Sequence, residues 1–162
     1  MDQSTGVFIM QLPADFERWD EVLVLIMRAF ASMDGVIDPP SSAHLLNVEN
    51  LKQKAGQETV FLALKDGGIV GCVFVLERTE DFYVGKLAVE PGFQGQGIGK
   101  QLMQAVEALA RSRSKAAIEL QTRIELTANH AAFARLGFRE TERTAHEGYD
   151  RPTSITMRKV LA

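Results

Sequence analysis

The residues best suited to chemistry lie in one stretch, Leu87-Ala88-Val89-Glu90-Pro91-Gly92-Phe93-Gln94-Gly95-Gln96-Gly97-Ile98-Gly99-Lys100, where an apolar strand passes through glycines directly into a helix. Gly95, Gly97 and Gly99 let consecutive N–H groups converge, and without side chains they let an anion approach closely. The first N–H groups of the helix lack intrahelical partners and sit at its positive dipole end. A pyrophosphate is the natural occupant of such a turn. Two better-known phosphate motifs do not fit. A nucleoside triphosphate loop needs Gly-Lys followed by Ser or Thr, whereas Gly99-Lys100 is followed by Gln101. The glycine spacing of a dinucleotide fold is absent, and the strand is preceded by a hairpin instead of opening a βαβ repeat.

A second candidate stretch is the polar link His146-Glu147-Gly148-Tyr149-Asp150-Arg151-Pro152, with Arg143 just before it. Two aromatics and several charges beside glycine and proline are unusual for a plain connection, and loops of this kind carry function. Cys72 is the only cysteine and lies in the apolar run 69–76, so it reads as a small buried hydrophobe, not as a nucleophile. An intrachain disulfide is impossible and no metal site is expected.

These residues need a scaffold, and apolar periodicity supplies one. Val7–Gln11 reads as a strand, and Phe16, Trp19, Leu23, Ile26, Met27 and Phe30 recur at helical spacing. Asp34-Gly35 and Asp38-Pro39-Pro40 end that helix, after which Ser41 or Ser42 is placed to cap a second one running to about Ala55. Thr59–Lys65 and 69–76 are β-rich runs joined by Asp66-Gly67-Gly68, strong hairpin chemistry. A third strand, 81–90, leads into the glycine-rich turn. The helix that follows carries Ile98, Leu102, Ala105, Val106 and Leu109 on one stripe. Residues 116–122 form another strand. Thr127 is placed to cap a helix whose face includes Ala131, Phe133 and Leu136, and Gly137 stops it. Strands 138–145 and 153–160 close the sheet. The order β-α-α-β-β-β-α-β-α-β-β predicts an α/β (α+β) fold, a mixed sheet of about seven strands with helices on its faces.

The 162 residues, 46% hydrophobic and 24% charged, fit one soluble domain spanning 1–162 with a packed core over about 7–160. With 18 basic against 21 acidic residues, the net charge of -3 provides no field for nucleic acid. The longest apolar run, 22–27, is far short of the ~20 residues a membrane helix needs, and the start lacks a signal peptide's basic region. A cytoplasmic protein with no membrane partner is expected.

The glycine-rich stretch resembles the signature of the GNAT family of N-acetyltransferases: Gln or Arg, two residues, Gly, one residue, then Gly or Ala. Gln94, Gly97 and Gly99 stand in those places. Leu87-Ala88-Val89 resembles the family's fourth strand. Asn129 to Phe138 resembles the segment in which an asparagine starts a helix ending in Leu-Gly-Phe. The resemblance follows element order from Val7 onward and is specific over 87–138. It implies a mostly antiparallel sheet with a splayed strand pair forming the cleft for acetyl-CoA, and transfer of its acetyl group to a primary amine in a ternary complex.

By that resemblance, the N–H groups of Gln94, Gly95, Gln96, Gly97, Ile98, Gly99 and Lys100 would hold the pyrophosphate. The backbone of Leu87, Ala88 and Val89 would pair with the pantetheine arm and polarise the thioester carbonyl. Asn129 would contact the same arm. The amine must shed a proton, because an alkylammonium has no lone pair. The resemblance points to Tyr83, expected on the strand face of Gly85 and Leu87, as the residue ordering a water for that purpose; Glu90 is a further candidate base. The chain departs from the family at Phe133, where a tyrosine commonly protonates the leaving sulfur. Tyr149 is the candidate replacement acid, with His146 as an alternative base. Asp34, Asp38 and Glu147 are placed to attract a cationic amine, and Arg143 and Arg151 equally to hold an anionic group. Two other readings stay open: a non-catalytic acyl-CoA sensor, kept alive by Phe133, and an acetyltransferase acting on protein N-termini or lysines. A homodimer through an exposed C-terminal strand edge is also compatible with the sequence.

Overall fold

Six runs that carry Val, Ile, Leu or Phe and one charged run, 139–144, form seven strands in the computed structural model, which describes residues 6–161. They are β1 (Val7–Gln11), β2 (Thr59–Lys65), β3 (Gly68–Glu77), β4 (Asp81–Val89), β5 (Ala117–Arg123), β6 (Arg139–Thr144) and β7 (Ser154–Val160). Four helices accompany them: α1 (Trp19–Ala31), α2 (Val48–Gln57), α3 (Ile98–Ser112) and α4 (Thr127–Arg135). The strands make one sheet in the order β1-β2-β3-β4-β5-β7-β6, antiparallel throughout except for β4 beside β5. The fold is thus the mixed, mostly antiparallel architecture that the resemblance implied.

Period-two alternation gives the sheet two apolar faces. On one, Trp19, Val22, Leu25 and Ile26 of α1 and Leu51 of α2 cover Val60, Leu62, Cys72, Phe74 and Ala88. On the other, Ile98, Leu102, Met103, Val106 and Ala110 of α3 cover Phe61, Ala63, Val73, Val75, Phe82, Val84, Ile118 and Leu120. The buried stripe of α3 is turned slightly from the predicted one: Met103 and Ala110 are inside, while Ala105 and Leu109 are only partly covered. Gly71 explains how closely the helix approaches. A Cβ there would lie 3.1 Å from both Ile98 Cγ2 and Leu102 Cδ1, so α3 sits where only a glycine fits comfortably.

Three local expectations are corrected. Ser41 does cap, accepting from the Ala43 N–H, but it opens a 3₁₀ turn at Ser42–Leu45. Helix α2 begins later, with Asn47 and Asn50 exchanging side-chain-to-backbone bonds of 2.8 and 2.9 Å in a capping box. Thr127 supplies no cap to α4; it is the first helical residue, and α4 buries no residue fully. Finally, β4 carries a bulge. Phe74 pairs with Lys86 while Val75 pairs with Val84, leaving Gly85 as the extra residue. Val84 and Leu87 therefore both pack on the α3 face, and Gly85 faces Lys54 and Glu58 of the α2 side. Tyr83 shares a face with Gly85 but not, as expected, with Leu87.

At the start of β4 an ion cluster ties three strands together. Arg78 reaches Asp81 through bonds of 2.6 and 2.8 Å, and Arg158 of β7 reaches the same carboxylate at 2.7 Å and Glu119 of β5 at 3.1 Å. The Arg78 hydrogen bonds, opposed by burial and aided by Arg158, hold the Asp81 carboxyl below its ordinary range. The parallel β4–β5 pair is thus anchored at one end, which matters because it comes apart at the other.

Candidate active site

Pairing between β4 and β5 runs only over 81–84 and 117–120, from Asp81↔Ala117 to Val84↔Leu120. Beyond the bulge, β4 keeps its ladder to β3 through residues 86–89 but, among the described residues, has no strand on its other side. The gap opens into a cavity of about 1240 Å³. The wall of this cavity includes Leu87 and Val89 of β4, Phe93 to Gly95 and Gly97 to Lys100 of the turn, and Asn129 and Phe133 of α4. Its far half is bounded by Phe30, Met33, Ile37, Pro40, Ser42, Tyr83, Lys86, Gln121, Arg123, His146 and Ser154.

The turn has the geometry that its glycines allow. Gly95 and Gly97 adopt left-handed φ of +81° and +83°, and nothing lies within 4 Å of where a Cβ would stand. Gln94 steadies the turn by donating from Nε2 to the Val89 carbonyl at 3.4 Å. The first backbone bond into α3 is Gln101 N–H to the Gly97 carbonyl, at 3.0 Å. The amides of Ile98, Gly99 and Lys100 have no protein partner among the described residues. Three open donors at a helix's positive end suit a diphosphate. In the gap itself, the Thr122 hydroxyl is buried, borders the cavity and lacks a partner among the described residues, which suits a ligand bearing amides.

The residues expected from sequence do not all converge. Leu87, Val89, Gln94, Gly95, Gly97, Ile98, Gly99, Lys100, Asn129, Phe133, Tyr83 and His146 border the cavity; Ala88, Gln96, Glu90 and Tyr149 do not. Ala88 points into the core beneath α1. Glu90, the further candidate base, is not free to act as one: its side chain is 19% exposed and pairs with Arg28 at 2.6 Å. Tyr149 donates to Asp38 Oδ1 at 2.6 Å, a bond that raises its pKa, and Arg151 holds the other oxygen at 3.0 Å. Both Asp38 oxygens are thereby occupied. Arg143 pairs with Glu140 on the exposed strand β6, away from the cavity. Phe133 packs edge-on against Phe138, with ring centroids 5.8 Å apart, and offers only an apolar wall.

Electrostatics separate the remaining candidates. Burial raises the Tyr83 pKa, with Glu119 adding to it, so this phenol stays protonated at neutral pH. The Arg78 guanidinium stacks 5.1 Å from its ring. His146 is held by Thr153, whose hydroxyl bonds Nδ1 and accepts the His146 N–H at 2.8 Å. Burial, then nearby Arg123, lowers its pKa, which keeps the imidazole neutral at pH 7. Cys72 is buried and its thiol is pushed up to about 12 by desolvation, so it carries almost no thiolate.

Besides Thr122, two charged cavity residues escaped the sequence reading. Lys86 donates to Ser42 Oγ at 3.2 Å and lies 5.4 Å from the Phe30 ring centroid. Arg123 donates to the carbonyls of Pro39 and Pro40 at 2.5 and 3.0 Å, tying the loop after α1 across the cavity. A lysine inside an otherwise apolar strand was the only available signal.

Comparison with known proteins agrees with this geometry. Residues 56–140 match the family described as "Acetyltransferase (GNAT) domain". An "IAA acetyltransferase" of Azospirillum brasilense is 32% identical over 130 residues, covering 78% of this chain and 82% of that protein. "Aminoglycoside N(6')-acetyltransferase type 1" of Stenotrophomonas maltophilia is 38% identical over 97 residues, 54% of this chain and 63% of that protein. Among solved structures, a GNAT family acetyltransferase from Elizabethkingia anophelis with acetyl-CoA bound superposes with a TM-score of 0.69 at 22% identity, over 96% of this chain and 99% of that one. The chain therefore belongs to the GNAT acetyltransferase family and is an acetyl-CoA-dependent acyltransferase.

Proposed function

We propose that the chain acetylates the primary amine of a small molecule by direct attack, with both substrates bound at once. The observation that carries this reading is the parting of β4 from β5 beside the open amides of α3. Acetyl-CoA supplies an activated acetyl thioester. In our assignment the amides of Ile98, Gly99 and Lys100, with the turn from Gln94 to Gly97, hold its diphosphate. The free edge of β4 at Leu87 and Val89 offers N–H and C=O groups to the amide-bearing arm, as an added strand would use them. Asn129 and the Thr122 hydroxyl supply side-chain contacts to the same arm. A main-chain N–H near Leu87 stabilises the charge that develops on the carbonyl oxygen during attack.

His146 is assigned as the group that takes the amine's proton, because its imidazole is neutral and borders the cavity. Tyr83, protonated, orients the acceptor or a water. Neither Glu90 nor Tyr149 is retained in a chemical role, since each is engaged with a partner outside the cavity. With Phe133 unable to donate, the thiol departs as thiolate. A thiol pKa of about 8.5 and the positive end of α3 make that feasible.

A small acceptor is favoured because the loop after α1 roofs the far half. Arg123 grips Pro39 and Pro40, Tyr149 and Arg151 grip Asp38, and Lys86 reaches Ser42. The two relatives are named for IAA and aminoglycoside substrates, which also supports a small molecule over a protein. Release of free CoA from acetyl-CoA, measured across a panel of small amines and peptides, tests the reading. Saturable turnover of a small amine is expected. Turnover confined to peptide N-termini or lysines would contradict it.

A further inference from the structure

The cavity as a whole has an unbalanced charge. Among the described residues no Asp or Glu borders it, whereas Lys86, Lys100, Arg123 and Arg135 do. Lys100 and Arg135 lie on α3 and α4, on the side assigned to CoA. Lys86 and Arg123 lie on β4 and β5 beneath the loop, where the acceptor must enter. Neither has a carboxylate partner: Lys86 contacts only the Ser42 hydroxyl and the Phe30 ring, and the Arg123 guanidinium contacts only the carbonyls of Pro39 and Pro40.

The nearby carboxylates make their direct contacts with other groups: Glu58 Oε2 pairs with Lys54 at 2.6 Å, Asp38 serves Tyr149 and Arg151, and Glu125 Oε2 accepts the Asp38 N–H at 3.2 Å, while Glu58 Oε1 and Glu125 Oε1 are buried with no hydrogen-bond partner among the described residues and do not border the cavity. Two cations facing one partly dry cavity with no carboxylate in direct contact are a standing cost, which a bound anion relieves. Burial first, then Lys54, disfavours the charged form of Lys86; the Glu58 charge opposes them in part, and Arg123 adds a smaller push against it.

We propose that the acceptor is an amine bearing a carboxylate, an amino-acid-like molecule whose carboxylate is held between Lys86 and Arg123. This rests on the acetyltransferase reading and narrows its substrate class. The Lys86 ammonium and the Arg123 guanidinium repel a polycationic acceptor in the same place. A singly charged carboxylate fits better than a dianion, because two of the guanidinium's donors are already directed at the proline carbonyls.

The test compares matched acceptors in the CoA-release assay: amino acids, the amines left when their carboxyl group is removed, and aminoalkyl phosphates. The carboxylate-bearing member is expected to exceed its decarboxylated partner at least tenfold in kcat/KM. Lys86→Gln should erase that preference, chiefly by raising KM for the acid at least tenfold, and Lys86→Arg should retain it. Arg123→Gln should act in the same direction, and Lys86→Gln leaves the Pro39 and Pro40 contacts intact if Arg123→Gln disturbs the loop. Equal or better use of decarboxylated amines, polyamines or aminoalkyl phosphates would overturn the proposal, as would an undiminished preference in Lys86→Gln. If no amine is turned over, calorimetric titration of the amino acids into the CoA-bound protein decides: absence of saturable binding refutes the carboxylate site, while acetyl-CoA binding by itself reports on the acetyltransferase reading.

Discussion

At the scale of single residues, chemistry here depends less on which side chains are present than on which are unoccupied. Tyr149, Glu90 and Asp38 all have suitable functional groups, and all are spent on one another or on arginines. His146 is neutral, anchored by Thr153 and on the cavity wall. Its pKa is lowered by burial and by Arg123, so the imidazole accepts a proton above that lowered value and loses the capacity as pH falls through it. The acidic limb of kcat/KM is therefore expected below the ordinary histidine value of about 6.5. His146→Gln should remove that limb and lower kcat by about 100-fold. Retention of kcat within about threefold would remove His146 from the mechanism. Sequence showed the glycine-rich turn fully, because every part of it is local, from Gln94 to Lys100. It could not show that Tyr149 turns to Asp38, since 111 residues separate the two.

At the scale of elements, α3 is placed by a strand residue with no side chain. Gly71, unremarked in the sequence, sits in β3 under Ile98 and Leu102, the first turn of the helix that presents the open amides. Gly71→Val must displace that turn. Overpacking of this kind costs about 1–3 kcal/mol. The variant is expected to melt lower and also to bind acetyl-CoA more weakly, because the shifted residues include Ile98. Thermal unfolding and calorimetry of the same preparation check both; a lower Tm with unchanged affinity would show that the turn tolerates the move. The same element hid the bulge. Gly85 reads as an ordinary strand glycine until its offset against Phe74 and Val75 is seen, and that offset alone reverses the faces of Tyr83 and Leu87. Helix α2 was misplaced for a similar reason: Ser41 is a sound cap, but Asn47 and Asn50 form a stronger box six residues on.

At the scale of the whole molecule, the sheet must hold β4 and β5 together at one end and apart at the other. The Asp81 cluster does the holding, joining β4, β5 and β7. Its arginines are partly exposed, so solvent weakens the pairs, and Asp81→Ala should cost about 1–3 kcal/mol. Because Arg78 lowers the Asp81 pKa in the folded protein, the contribution is complete above about pH 4 and fades as pH falls through the lowered value. Urea titrations of both proteins at several pH values check this: the difference between them should shrink only under strongly acidic conditions. A gap already closed at pH 5 would count against the cluster. The free edges of the sheet are β1 and β6, and the alternating charges of Arg139 to Arg143 on β6 discourage further strand pairing, so a homodimer through that edge remains a proposal for solution measurement.

The central claim is that the main chain of the glycine turn and the start of α3 bind acetyl-CoA in the gap beside β4. Isothermal calorimetry of acetyl-CoA into the wild-type protein and into Gly97→Val addresses it directly, since a side chain at φ +83° is strained and stands at the helix start. Saturable binding with Kd between about 1 µM and 1 mM, weakened at least tenfold in the variant, is the predicted result. No saturation by the wild type up to millimolar ligand, or equal affinity in the two proteins, would contradict it.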